Sequence, residues 1–136
     1  MSASHVSGPL YSANGFVGDM TSTGTSTVTN LTVDTGTKTA SATAGAATLN
    51  KTQGAITSES ITTAAGSDYV LTLTNSAIAA ADMVIATVQN GTNTTEGLSV
   101  QRVQPAAGSV VIRVRNTHAS SALNGTIVVK FLVIKA

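Results

Sequence analysis

Ala64-Ala65-Gly66-Ser67-Asp68-Tyr69-Val70-Leu71-Thr72-Leu73-Thr74-Asn75 is echoed about 42 residues later by Ala106-Ala107-Gly108-Ser109-Val110-Val111-Ile112-Arg113-Val114-Arg115-Asn116. Each copy opens on a Gly-containing turn, runs through alternating apolar residues and closes on Asn. A small-residue loop follows each, and then a second apolar strand, Met83–Val88 in one unit and Ile127–Ile134 in the other. Strand alternation puts Tyr69, Leu71 and Leu73 on one face and Val70, Thr72 and Thr74 on the other. Val110, Ile112 and Val114 oppose Val111, Arg113 and Arg115 in the same way. Two matching strand–loop–strand units predict a sandwich in which they face each other; two are too few for a solenoid.

Further strands are expected at Ala46–Asn50, Ala55–Ile61, Asp68–Thr74, Met83–Gln89, Leu98–Val103, Ser109–Arg115 and Thr126–Ile134. Asn90-Gly91, Asn124-Gly125 and Pro105-Ala106-Ala107-Gly108 supply turn signals between them. No segment carries a helical stripe. The fold class is therefore all-β: an antiparallel, jelly-roll-like β-sandwich over residues 46–136, preceded by an extended Thr/Ser/Gly-rich arm over 1–45.

The last strand is unusual. Ile127, Val129, Phe131 and Val133 alternate with Val128, Lys130, Leu132 and Ile134, so both faces are largely apolar. Such a strand needs cover on both sides. In a chain without helices, a neighbouring subunit is the expected second cover, with folding-back of the front segment as the competing reading. Val128, Leu132 and Ile134 are accordingly assigned to an oligomer interface. Arg113 and Arg115 share a strand face and join that assignment as ion-pair formers; a solvated face and an acidic partner surface are the alternatives.

The front segment follows a different rule. Met1–Ser12 reads as a flexible arm, and Asn14-Gly15 is a turn signal beside Phe16 and Val17. That apolar pair is an anchor into a partner or a latch onto the protein's own domain. Thr21, Thr23, Thr25, Thr27 and Thr29 recur at strand spacing, and Leu31 and Val33 continue their face. An isolated strip of this kind buries almost nothing and leaves its edges unpaired. It is disordered, docks on its own domain, or wraps with copies of itself.

Composition removes several function classes. A formal charge of +1 without a Lys/Arg cluster argues against nucleic-acid steering. The lack of Cys excludes disulfides and thiolate metal sites. No apolar run approaches a membrane helix, and Met1–Ser12 does not read as a signal peptide. His5 and His118 lie apart in an arm and a loop, and Asp19, Asp34, Glu59, Asp68, Asp82 and Glu96 are scattered. Asp68 and Asp82 flank one repeat and are the nearest approach to a paired-acid site. Ser67 and Ser109 lack the strand–helix elbow of a serine hydrolase, and no Gly-rich phosphate loop carries a Lys. The expectation is a non-enzyme without cofactor or metal. Asn-x-Thr triplets at Asn30, Asn50, Asn90, Asn93 and Asn124 read as accidents of a Thr-rich composition.

Several runs carry a family resemblance. They are Asn50-Lys51-Thr52-Gln53-Gly54-Ala55-Ile56-Thr57-Ser58-Glu59, Thr62–Gly66, Ala86-Thr87-Val88-Gln89-Asn90-Gly91-Thr92-Asn93, Val110–Asn116 with His118-Ala119, and Ala122-Leu123-Asn124-Gly125-Thr126-Ile127. Together they resemble the β-sandwich domains of tailed-bacteriophage virion proteins, of the capsid decoration or head-fibre type. The resemblance covers about Asn50–Ala136, and the Thr/Gly strip ahead of it is similar to fibre stems. It implies a non-enzymatic structural protein, commonly a homotrimer, on the outer surface of the capsid. Its partner would be the major capsid protein, with Phe16 and Val17 as the capsid anchor, and neither nucleic acid nor membrane is implied. The alternative is a fibre-tip receptor- or carbohydrate-binding module, its loops Ala77–Asp82, Asn90–Gly97 and Thr117–Asn124 supplying hydrogen bonds and Tyr69 the aromatic platform.

Overall fold

The computed structural model of the chain describes residues 35–40 and 45–136; Phe16, Val17 and the Thr21–Thr29 alternation lie outside the described residues. The described residues form strands and no helix: β1 (Thr35–Thr39), β2 (Ala46–Thr48), β3 (Gln53–Thr57), β4 (Asp68–Thr74), β5 (Met83–Asn90), β6 (Leu98–Ala106), β7 (Ser109–Asn116) and β8 (Ile127–Ile134). They assemble into two four-stranded sheets, ordered β1-β3-β8-β5 and β2-β4-β7-β6, packed as a β-sandwich.

Alternation decides the core. Tyr69, Leu71 and Leu73 of β4, Val110, Ile112 and Val114 of β7, and Ile127, Val129, Phe131 and Val133 of β8 are all buried in one cluster. Ile56 of β3 and Val84 of β5 join it. In β6 the inward residues are Leu98, Val100 and Val103, whose spacing breaks period two. A β-bulge between Val100 and Arg102 absorbs the odd residue, Gln101, and so restores Val103 to the core.

The repeat units are placed differently from the sequence expectation. They do not face each other across the sandwich; β4 and β7 are antiparallel neighbours in one sheet, with Leu71 opposite Ile112. β5 and β8 are antiparallel neighbours in the other. The units are thus related by an approximate two-fold axis. That arrangement lets the turn of each copy meet the closing Asn of the other. The Gly66 amide donates to the Asn116 carbonyl at 2.9 Å, and the Asn75 amide donates to the Gly108 carbonyl at 2.9 Å. Gly66 and Gly108 both adopt positive φ, 73° and 75°, a turn conformation that glycine takes at little cost. Both Asn side chains are fully buried and fasten the next loop: Asn75 Oδ1 accepts from the Ala77 amide, and Asn116 Oδ1 from the His118 amide, each at 3.0 Å. Their Nδ2 groups donate to the carbonyl oxygens of Lys51 on one side, and of Thr63 and Ser121 on the other.

The sheets are also mixed instead of purely antiparallel. β1 pairs parallel with β3, and β2 parallel with β4. From Thr35 to Thr74 the chain passes alternately from sheet to sheet, so strands returning to one sheet run the same way. The opposite sheet supplies the crossover that a helix supplies in a βαβ unit. This winding draws Thr35–Thr39, ahead of the boundary expected at residue 46, into the sandwich. Two glycines make the fit possible. Gly36 and Gly54 stand opposite each other, and a Cβ on either would come within 2.9 Å and 2.7 Å of the Leu49 side chain. Leu49 thereby caps the core over a strand that has no large apolar residue of its own.

Candidate functional site

Because β8 turns Ile127, Val129, Phe131 and Val133 inward, Val128, Lys130, Leu132 and Ile134 must face out. The β5 register sets Met83 beside Ile134 and Ile85 beside Leu132. Met83, Ile85 and Ile134 are the exposed large hydrophobic residues among those described, at 60%, 47% and 44% of full exposure. Leu132 and Val128 are half-buried. All five therefore share one sheet face. A shallow groove of about 410 Å³ runs beside the patch, between Gln53, Ala55, Ile85, Thr87, Lys130 and Leu132. Fully burying one such side chain is worth roughly 1.5–3 kcal/mol, so a partner covering this cluster gains several kcal/mol. Contiguous apolar surface of this kind marks interaction sites.

Met83 and Ile85 were missed by sequence reasoning. The signal was present in Met83-Val84-Ile85: a strand start that is apolar at consecutive positions, as in β8. Val128, Leu132 and Ile134 do lie together, but Arg113 and Arg115 do not lie with them. β7 belongs to the other sheet, whose outer face points to the opposite side of the sandwich. Arg115 Nη1 there meets Asp68 Oδ1 at 3.3 Å. The five residues assigned to one interface occupy two surfaces.

The loops considered for ligand binding use their polar groups on one another. Asn93 is buried, donating to Asn90 Oδ1 and the Thr95 carbonyl and accepting from the Asn124 amide. Thr92 and Thr126 are bonded through their hydroxyls and amides, and Asn124 bonds Thr94. The Thr95 and Thr117 hydroxyls donate to the Ala122 and Gly97 carbonyls. His118 Nδ1 accepts from the Ser120 and Ser121 amides and organises its own turn. Tyr69 is buried and donates to Glu59 Oε2 at 2.8 Å, so its ring is no platform for a sugar; burial, then the Glu59 bond and charge, push its hydroxyl pKa far up. Among the described residues no three His, Cys, Asp or Glu side chains converge as a metal site.

Asp68 and Asp82 do not pair. Asp68 begins β4, whereas Asp82 follows the loop after the far end of that strand. Asp82 is instead a clamp on the last residues of the chain. Its Oδ2 binds Lys135 Nζ and accepts from the Ala79 amide at 2.8 Å, and its Oδ1 accepts from the Ala136 amide at 3.1 Å. The Lys135 bond, followed by the Ala79 amide, holds its carboxyl down at about 2. A carboxyl depressed in the folded state stabilises fully above its ordinary range, and the contribution is lost as pH falls through the folded value. We expect the Ala136 amide resonance to stay put from neutral pH to about 4 and to move as pH falls toward 2. Asp82→Asn should abolish that transition; a wild-type midpoint near the ordinary value of 3.8 would show the clamp to be open.

No protein-family model, curated protein or solved structure matches this chain.

Proposed function

We propose that this protein is a structural component of a bacteriophage virion: an oligomeric decoration protein on the outside of the capsid. The observation that carries the reading is the apolar outer face of β5 and β8, built on a sandwich whose loop side chains bond mainly to one another. Such a molecule is organised to be covered, not to turn over a substrate. Its sequence resemblance to capsid decoration and head-fibre proteins supplies the setting. The proposed state is a homotrimer in which Met83, Ile85, Leu132 and Ile134 face neighbouring copies. Phe16 and Val17 are the proposed capsid anchor, and the major capsid protein the partner. Three linked anchors raise the effective concentration at a symmetric site, so individually weak contacts suffice.

Light scattering coupled to gel filtration should give three times the 13.5 kDa chain mass. Removing residues 1–17 should leave that oligomer folded while abolishing sedimentation with capsid shells. A folded monomer would overturn the assembly, and full shell binding by the truncated chain would overturn the anchor.

A further inference from the structure

The second outer face, that of the β2-β4-β7-β6 sheet, has a distinct chemistry that the apolar patch does not use. In regular alternation Gln101 would face out and Arg102 would point into the core, because Val100 is inward. The bulge at Gln101 shifts the phase, so Arg102 comes to lie directly opposite Arg113 in the register. Arg113 is itself opposite Val70, and Arg115 is opposite Asp68. Like charges placed directly opposite on adjacent strands destabilise a sheet. Nothing within the described residues offsets this pair. The carboxylate of this face, Asp68, is held by Arg115 at 3.3 Å. In the amide orientation that satisfies both neighbours, Gln101 also donates to Asp68 Oδ2 at 2.7 Å and accepts from Arg115. Arg102 and Arg113 have no acidic partner among the described residues.

We infer that the Arg102–Arg113 pair is a docking site for the acidic surface of another protein. Bulges re-aim side chains at functional positions, and this one presents a second guanidinium where the strand pattern would have buried it. Two adjacent planar forks suit carboxylates, which they bind bidentately; Arg115 and Asp68 already show a guanidinium–carboxylate contact on this face. Charge balance points the same way. Within residues 35–136 seven Lys and Arg stand against four carboxylates, an excess that favours an acidic partner. A nucleic acid fits less well, since two forks give few phosphate contacts. The inference holds whether or not the partner is a capsid, and the apolar face on the other side remains free for self-association.

Titration of the full chain with poly-L-glutamate at low and high salt tests it. Wild type should bind with an affinity that falls as salt rises, and Arg102→Gln/Arg113→Gln should weaken binding about tenfold or more. Lys130→Gln, which removes the cation on the opposite face, should bind as wild type. The double variant should melt at the same temperature or higher, because a repulsion is removed. If the double variant fails to fold, Arg102→Gln alone decides by the same criterion. Unchanged affinity in the Arg variants, no binding by wild type, or tighter binding to a DNA duplex than to poly-L-glutamate would each overturn the inference.

Discussion

Asn116→Ala is expected to lower the unfolding free energy by about 2–4 kcal/mol, a large share of what a domain of this size possesses. Asn116 has no exposed surface, and its side chain ties two segments, the loop at Thr63 and the His118–Ser121 turn, to the end of β7. Its Nδ2 reaches the Thr63 carbonyl at 3.0 Å and the Ser121 carbonyl at 2.8 Å, while its Oδ1 receives the His118 amide. Thr63 keeps the Leu123 amide as a donor when Asn116 is truncated. Ser121 and His118 lose the partner they have, and the deleted amide leaves a small void. An unmet polar group costs about 1–3 kcal/mol where it is fully buried. Ser121 is exposed and His118 half-buried, so most of the loss comes from the void and the bonds deleted at buried Asn116 itself, which places the expected value toward the lower end. Asn116→Asp should be worse than Ala near neutral pH, since it sets a carboxylate against two carbonyl oxygens. The two-fold relation makes a second statement. Asn75→Ala should cost a similar amount, and the two losses should add, because the residues close opposite ends of the β4–β7 pair. Urea titrations of the three single variants and of Asn75→Ala/Asn116→Ala, followed by circular dichroism, give the values. Changes below 1 kcal/mol at both positions would mean that the repeated Asn are not what closes the loops.

The repeat that contains these residues shows how far the sequence could be read. Alternation in β4, β7 and β8 identifies which side chains are buried, and the structure buries those side chains. It cannot say whether two such strands lie side by side or across the sandwich, since both arrangements bury the same face. The choice rests on Gly66, Gly108 and the two Asn, whose bonds run between copies. β1 was illegible for a different reason. Thr35-Gly36-Thr37-Lys38-Thr39 has no apolar pattern, and its place depends on Leu49 settling over Gly36 and Gly54. The bulge was written in the spacing of Leu98, Val100 and Val103, and it moved Arg102 to the face that Arg113 shares. Three of the five candidate interface residues were legible in β8, whereas Met83 and Ile85 required the β5–β8 register. The Asn- and Thr-rich loops looked available for a ligand because composition does not reveal that Thr92 faces Thr126, or that Asn93 holds Asn124.

Phe131→Ala and Ile134→Asn, three positions apart on β8, should separate the two faces of that strand. Phe131 is buried and stands opposite Gly54, where a Cβ would lie 3.0 Å from its ring. Glycine offers no side chain to move into the vacated space, so the cavity should persist. The cost is expected in the upper part of the roughly 3–5 kcal/mol range for Phe truncation, with a matching fall in urea midpoint and no dependence on protein concentration beyond that of assembly. Ile134 is already 44% exposed, and its loss removes little from an isolated subunit. Its effect should appear in association instead. With 44% of its surface left to bury, Ile134 contributes roughly 0.7–1.3 kcal/mol to a contact, so Ile134→Asn should weaken each subunit contact about three- to tenfold, and further where the Asn amide is buried unpaired. A dilution series under light scattering should then show the variant dissociating where wild type does not, with its circular dichroism unchanged. An oligomer equally resistant in Ile134→Asn and in Met83→Asn would remove this face from the assembly. The apolar outer side of β8 would then need a different cover, and residues 1–34 of the same chain are the remaining candidate within the sequence.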